Sequence, residues 1–312
     1  MNSLNNARDL VQASEEVATA IAEGTAVVAL ESTVYSNLGL PTPENERALR
    51  ECVTAIRSSG AVPCVTAIVD GTIRAGLEDA EYERILGEAK KVAERDIAVA
   101  VGQGWSVGAT TVSASLTIAE VAGISVFATG GIGGVHRGFE ITGDVSADLD
   151  AVARNGIATI SAGIKSFLDL AKSLELLETL GATVVGWQTD TLPSFTARHS
   201  AFPVPHRVDS MGELAAIARA RLSFGRGMLV ANPVPEASAL DQVVHDEALA
   251  QALVDAEAAG IEGAAVTPFV LGRIVDASGG ASVAANVSLV ANNARLAGEL
   301  AVELAATASS KD

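Results

Sequence analysis

One of the five lysines in this chain of 312 residues, Lys165, stands where an amine is chemically unusual. It follows the β-type run Thr159-Ile160-Ser161-Ala162-Gly163-Ile164 and precedes Phe167, Leu168, Leu170, Leu174 and Leu177, whose spacing suits one helix face. That places it at a strand-to-helix corner. The other lysines are Lys90, Lys91, Lys172 and Lys311, so a chain that mostly uses arginine for positive charge keeps an amine here. An amine can lose its proton and attack a carbonyl, which a guanidinium cannot. The competing reading is a lysine that reaches from a helix start to solvent.

A second candidate lies far upstream. The apolar run Thr25-Ala26-Val27-Val28-Ala29-Leu30 delivers Glu31 at the carboxyl end of an expected buried strand, where ligands usually bind in α/β proteins. A carboxylate that only satisfies local N–H groups or Ser32 and Thr33 would also fit. Between these two, Gly130-Gly131-Ile132-Gly133-Gly134-Val135-His136-Arg137-Gly138 permits close backbone approach, and His136 and Arg137 add donors for a phosphate. It is neither a dinucleotide fingerprint nor a P-loop. Asp144 and Asp148, four apart near an expected helix start, offer oxygen ligands for Mg²⁺ or Mn²⁺ or for sugar hydroxyls, and helix capping explains them as well.

Composition limits the partners. A net charge of −17 argues against a polyanionic ligand such as nucleic acid, although a few N–H groups and one or two cations can still hold a small phosphate. Cys52 and Cys64 form no C-x-x-C pair and no disulfide framework. No apolar run reaches bilayer length and the first residues do not read as a secretion signal, so the expected place is the cytoplasm, with no membrane partner.

The elements that must position these residues alternate strand and helix. Helices are expected over 4–23, closed by Gly24, over 44–59, 79–89, 211–224, 241–259, 267–277 and 282–307. Strands are expected over 25–30, 61–69, 97–101, 124–129, 183–187 and 227–231. Gly108 to Leu116 should open a helix, and Asn286, Asn292 and Asn293 interrupt the apolar face of the last one. Arg198, His199 and His206 in the irregular stretch 189–206 are further candidates for lining a site. The pattern predicts one compact α/β domain over 1–312, with a mostly parallel or mixed central sheet and helices on both faces.

Seven segments together carry a resemblance: Ala29-Leu30-Glu31-Ser32-Thr33, Gly108-Ala109-Thr110-Thr111-Val112, Ala128 to Gly138, Asp144-Val145-Ser146-Ala147-Asp148-Leu149, Ser161-Ala162-Gly163-Ile164-Lys165-Ser166, Val230 to Glu236, and Thr267-Pro268-Phe269. In their order, along essentially the whole chain, they resemble the pseudouridine-5′-phosphate glycosidase family, also called indigoidine synthase A-like. The resemblance implies that Lys165 is the nucleophile forming a Schiff base with ring-opened ribose 5-phosphate, and that Glu31 is the proton donor to the base. It implies Asp144 as ligand of one Mn²⁺, or Mg²⁺, per subunit. It places Lys91, Val112, His136, Ser146, Ala147, Asp148 and Asn286 at substrate-contact positions, and it implies a homotrimer.

The chemistry agrees with the residues. Ordinary glycosidases use two carboxyl groups flanking a C–O bond, whereas a carbon–carbon glycosidic bond has no basic oxygen to protonate. An iminium on the opened sugar supplies the electron sink, and one carboxyl group handles the proton at carbon. The implied reaction is the reversible cleavage of pseudouridine 5′-phosphate to uracil and ribose 5-phosphate. The segment Ser36-Asn37-Leu38-Gly39-Leu40-Pro41 is one residue longer than the family's usual S-H-G-M-P and lacks its histidine. The alternative is therefore a C-ribosyl synthase of secondary metabolism that joins ribose 5-phosphate to another aromatic acceptor.

Overall fold

The computed structural model describes residues 7–261 and 266–308. Its frame is one eleven-stranded sheet. Seven strands run parallel side by side in the order β3 (Val62–Val69), β2 (Val27–Leu30), β7 (Val126–Ala128), β8 (Ala158–Ser161), β11 (Met228–Ala231), β9 (Thr183–Trp187) and β10 (His206–Val208). The long β3 outruns β2, and its second half pairs antiparallel with β4 (Thr72–Ala75) and β6 (Val107–Thr110). On these sit β1 (Val11–Ala13), parallel to β4, and β5 (Lys90–Val92), parallel to β6. Asp70 and Gly71, both at positive φ, make the tight turn from β3 to β4 that a right-twisted hairpin favours.

The strand runs are almost wholly apolar because both faces of the parallel half are covered. Val28 and Leu30 point to one side, into a core shared with α2 (Glu44–Ser58) and the long α12 (Ala281–Ala308). Val27 and Ala29 point to the other, toward α1 (Glu15–Glu23) and α5 (Val112–Ala122). Among the described residues, no single helix is long and apolar enough to cross a membrane.

The mixed, mostly parallel sheet bears out the expected class, and most expected elements lie within a residue or two of their places. Four differ. Of the helix expected over 4–23, residues 4–6 lie outside the described residues, and Val11–Ala13 is instead strand β1. Ser14 then caps α1, its Oγ accepting from Val17 N, and Gly24 closes it as expected, at φ 70°. Residues 97–101 belong to a helix, Ile97–Gly102, not a strand, the known ambiguity of a short apolar run. Gly108–Thr110 is strand, not the opening of a helix: a Cβ on Gly108 would come within 2.7 Å of Val92 Cγ2, so glycine lets β5 and β6 approach. Finally, the helix after Lys165 begins only at Leu170, capped by Asp169 Oδ1, which accepts from Lys172 N at 3.0 Å.

Candidate active site

Register decides where the site forms. Leu30, Ala128, Ile160 and Val230 lie in one row across β2, β7, β8 and β11. The chain therefore emerges at one level as Glu31, Thr129, Ser161 and, one residue on, Asn232. This is the carboxyl edge of a parallel sheet, the usual ligand side.

Thr129 Oγ1 donates a short hydrogen bond to Glu31 Oε1, and both residues are buried. Burial is the largest influence on the Glu31 carboxyl and raises it above the ordinary carboxylate range, with Asp148 acting in the same sense. Lys165, then Thr129 and Lys91, oppose that shift without cancelling it. Glu31 is thus a carboxyl raised above its ordinary range by burial, and it also feels the charge of the Lys165 amine.

Lys165 is aimed by backbone. After Ser161 the chain turns through Gly163 at φ 77°, where a Cβ would collide with the carbonyl oxygen of Pro193. Lys165 N then donates to Ile132 O at 3.1 Å, and Ile132 N to Gly163 O at 3.1 Å, so the lysine segment is bonded directly to the glycine-rich loop. That loop is fixed in turn by Asp148, whose Oδ2 accepts from Gly133 N at 2.8 Å and whose Oδ1 accepts from Ser113 N, in the first turn of α5, at 3.0 Å. Ser146 packs so close that a Cβ on Gly133 would overlap its Oγ. Val112 is buried at the first position of α5.

The remaining expected positions are less uniform. His136 Nδ1 and Asp144 Oδ2 stand 3.6 Å apart at the rim, both partly exposed. Ala147 and Lys91 are exposed. Asn286, on α12, faces the strand ends: a Cβ on Gly130 would lie 3.5 Å from its Oδ1. Arg198, His199 and His206 do not join this group. Arg198 donates to Val234 O, His199 pairs with Thr191 Oγ1, and His206 lies exposed on the outermost strand β10.

A small cavity of about 70 Å³ lies between Leu40 and Pro41 of the loop after Glu31, Phe195, Thr196, Asn286 and Ser166, the residue after Lys165. Ser166 Oγ and Asn286 Oδ1 are buried and have no hydrogen-bond partner among the described residues. Buried polar atoms without partners are uncommon, and in a cavity wall they mark where a ligand supplies the missing bonds.

The role of Thr129 and of the buried amides beneath it is not visible in the sequence. Asn293, fully buried on α12, donates Nδ2 to Thr129 O at 2.7 Å, and its Oδ1 accepts from Asn232 Nδ2 at 2.9 Å. One amide thereby ties the ends of β7 and β11 to the covering helix. Its only sequence signal is a polar residue interrupting an apolar helix face. Asn293→Ala should destabilise the fold by roughly 2–4 kcal/mol, since it leaves a buried carbonyl and a buried amide unpaired. Urea unfolding reads this, and a loss below about 0.5 kcal/mol would contradict it.

An α/β sheet edge presenting a buried acid, a lysine one loop away and a glycine-rich phosphate-type cradle defines an enzyme site for small-molecule carbonyl chemistry. The profile of the family described as "Indigoidine synthase A like protein" matches residues 16–303, and the chain belongs to that family. It is 47% identical over 306 residues to the pseudouridine-5′-phosphate glycosidase of Methylobacterium nodulans, covering 96% of this chain and 90% of that one. It is 48% identical over 298 residues to the enzyme of the same name from Myxococcus xanthus, covering 94% and 97%. Among solved structures, a prealnumycin C-glycosynthase in complex with ribulose 5-phosphate superposes with a TM-score of 0.89 at 38% identity, covering 96% of this chain and 99% of that one. An indigoidine synthase A-like protein of Thermotoga maritima gives 0.83 at 34% identity, covering 95% and 97%.

Proposed function

We propose that the chain is a pseudouridine-5′-phosphate glycosidase, cleaving the carbon–carbon bond between ribose 5-phosphate and uracil reversibly through an imine on Lys165. The observation that carries this reading is the buried Glu31, its carboxyl raised by burial and felt by the charge of Lys165, which follows β8, two strands along the same sheet edge. Lys165 Nζ bonds to C1 as the C1–O4 bond breaks and opens the ring, the departing oxygen becoming the C4 hydroxyl with the proton the amine gives up. As the nitrogen lone pair forms the C=N bond, the bond from C1 to the base breaks, and the base carbon takes a proton from Glu31. Water then hydrolyses the imine, releasing ribose 5-phosphate and returning the amine. Asp148 takes the N–H groups of Ser113 and Gly133 and so ties the first turn of α5 to the glycine loop, which leaves the phosphate to Lys91, His136 and Ser146, positions the family resemblance assigns to substrate contact.

The donor set at the rim suits a water-rich divalent ion. Asp144 offers one carboxylate beside His136, and among the described residues no group of three protein ligands converges, which is the arrangement Mg²⁺ or Mn²⁺ tolerates and a closed zinc site does not. When bound on Asp144, the ion would add positive charge for the sugar phosphate and its hydroxyls. Exhaustive chelation should lower activity at least about tenfold, restored by Mn²⁺, and Asp144→Ala should resist restoration. Activity unchanged by both would remove the metal from this account. The family resemblance further supports a cytoplasmic homotrimer, which light scattering of the purified protein reads directly.

The synthase reading has one specific support, the resemblance to the prealnumycin C-glycosynthase. Against it stand the curated relatives of the other name, 47% and 48% identical over nearly the whole chain. Pseudouridine 5′-phosphate with Mn²⁺ should therefore yield uracil, and unphosphorylated pseudouridine should yield far less. Protein that traps ribose 5-phosphate yet releases no uracil would favour the synthase.

A further inference from the structure

The cavity wall contains a third polar group, one whose hydrogen can be placed. Thr196 is 3% exposed, and its Oγ1 lies 3.2 Å from Nδ1 of His245, a fully buried residue of the helix Gln242–Ala258. Burial keeps the His245 ring neutral by lowering its pKa, against a weaker opposing influence of Asp246. A neutral ring carries one N–H, and His245 Nε2 is buried without a partner among the described residues. If the hydrogen sat on Nε2, a buried donor would be orphaned. If it sits on Nδ1 it is bonded to Thr196, and only an acceptor lone pair is left over, the more tolerable outcome.

With Nδ1–H donating, the Thr196 oxygen accepts on one lone pair and its own hydrogen is left to donate elsewhere. No other acceptor within the described chain takes it. Ser166 Oγ and Asn286 Oδ1 lie unpaired in the same wall. The wall therefore offers hydroxyl donors beside an amide acceptor, a set complementary to the imide edge of a pyrimidine, where carbonyl and N–H alternate.

Resting on the glycosidase reading above, we propose that Thr196 is a specificity-determining residue, its hydroxyl presented to a carbonyl oxygen of the base by His245 held as the Nδ1–H tautomer. His245 is a positioning residue, since it acts only through Thr196. Base recognition is thus built partly from helix Gln242–Ala258, which contributes nothing to Glu31 or Lys165.

The test runs the reaction toward synthesis from uracil and ribose 5-phosphate. Thr196→Val should raise KM for uracil about tenfold while leaving KM for ribose 5-phosphate unchanged, and Thr196→Ser should restore it. The wild-type protein should discriminate against 2-thiouracil or 4-thiouracil, whose sulfur is a poor acceptor, and Thr196→Val should lose that discrimination. Long-range ¹⁵N NMR of the intact protein, with His245→Asn for assignment, should show His245 protonated on Nδ1. A Thr196→Val protein with wild-type KM for uracil and intact discrimination would overturn the proposal, as would an Nε2–H tautomer. Borohydride labelling by ribose 5-phosphate separates the two levels: its failure in wild type sinks the glycosidase reading, whereas normal labelling in Thr196→Val with unchanged uracil KM sinks only this one.

Discussion

Glu31→Gln should release uracil about 10²–10⁴-fold more slowly than wild type, yet still trap ribose 5-phosphate on Lys165. Glutamine keeps the shape and still accepts the Thr129 hydroxyl, so the strand end stays ordered. What it lacks is a proton to place on the base carbon, and loss of a positioned acid costs about 10²–10⁴-fold. The same substitution changes stability in a pH-dependent way. In the folded chain burial raises the Glu31 carboxyl, so the neutral form is favoured there, while the unfolded chain ionises near its ordinary value of about 4.3. As pH rises from that value through the raised one, the unfolded state gains from ionisation and the fold loses stability; below it the difference vanishes. Glu31→Gln therefore melts higher than wild type at neutral pH, and the gain disappears toward pH ~4. A melting temperature equal to or below wild type across the whole range would show that the buried carboxyl carries no such cost. The pH profile of cleavage follows the same sign: activity declines as Glu31 loses its proton on the alkaline side.

Lys165→Ala is the larger loss in rate and the smaller one in structure. The lysine backbone is held by Ile132 O, and the turn before it by Gly163, so removing the side chain leaves the corner intact. Without the amine there is no covalent electron sink, and cleavage should fall by at least roughly four orders of magnitude, toward the background left when a nucleophile is deleted. Binding of ribose 5-phosphate, measured by calorimetry, should change by less than about tenfold, because Lys91, His136 and Ser146 remain. Loss of binding together with activity would instead make Lys165 a phosphate anchor.

The parallel half of the fold could be read from sequence because its strands are buried on both faces and so appear as unbroken apolar runs, each ending in a polar residue. Glu31 and Lys165 were visible for that reason. The antiparallel edge was not: Thr72–Ala75 is short, half-exposed and separated from β3 by two residues. Residues 97–101 show the converse, an apolar run of strand length that forms a helix. The relations among Thr129, Asn232 and Asn293 belong to register between strands distant in the chain, which no local pattern encodes. The same holds for Thr196 and His245, two ordinary residues in sequence whose meaning comes from a hydrogen bond and an unpaired ring nitrogen.

The central claim is that Lys165 forms a covalent imine with the sugar. Protein incubated with ribose 5-phosphate and borohydride should gain the mass of one reduced sugar phosphate per chain, and peptide mapping should place it on Lys165, with Lys165→Ala unlabelled. Equal labelling of Lys165→Ala, or a label on Lys90, Lys91 or Lys172 instead, would contradict the account.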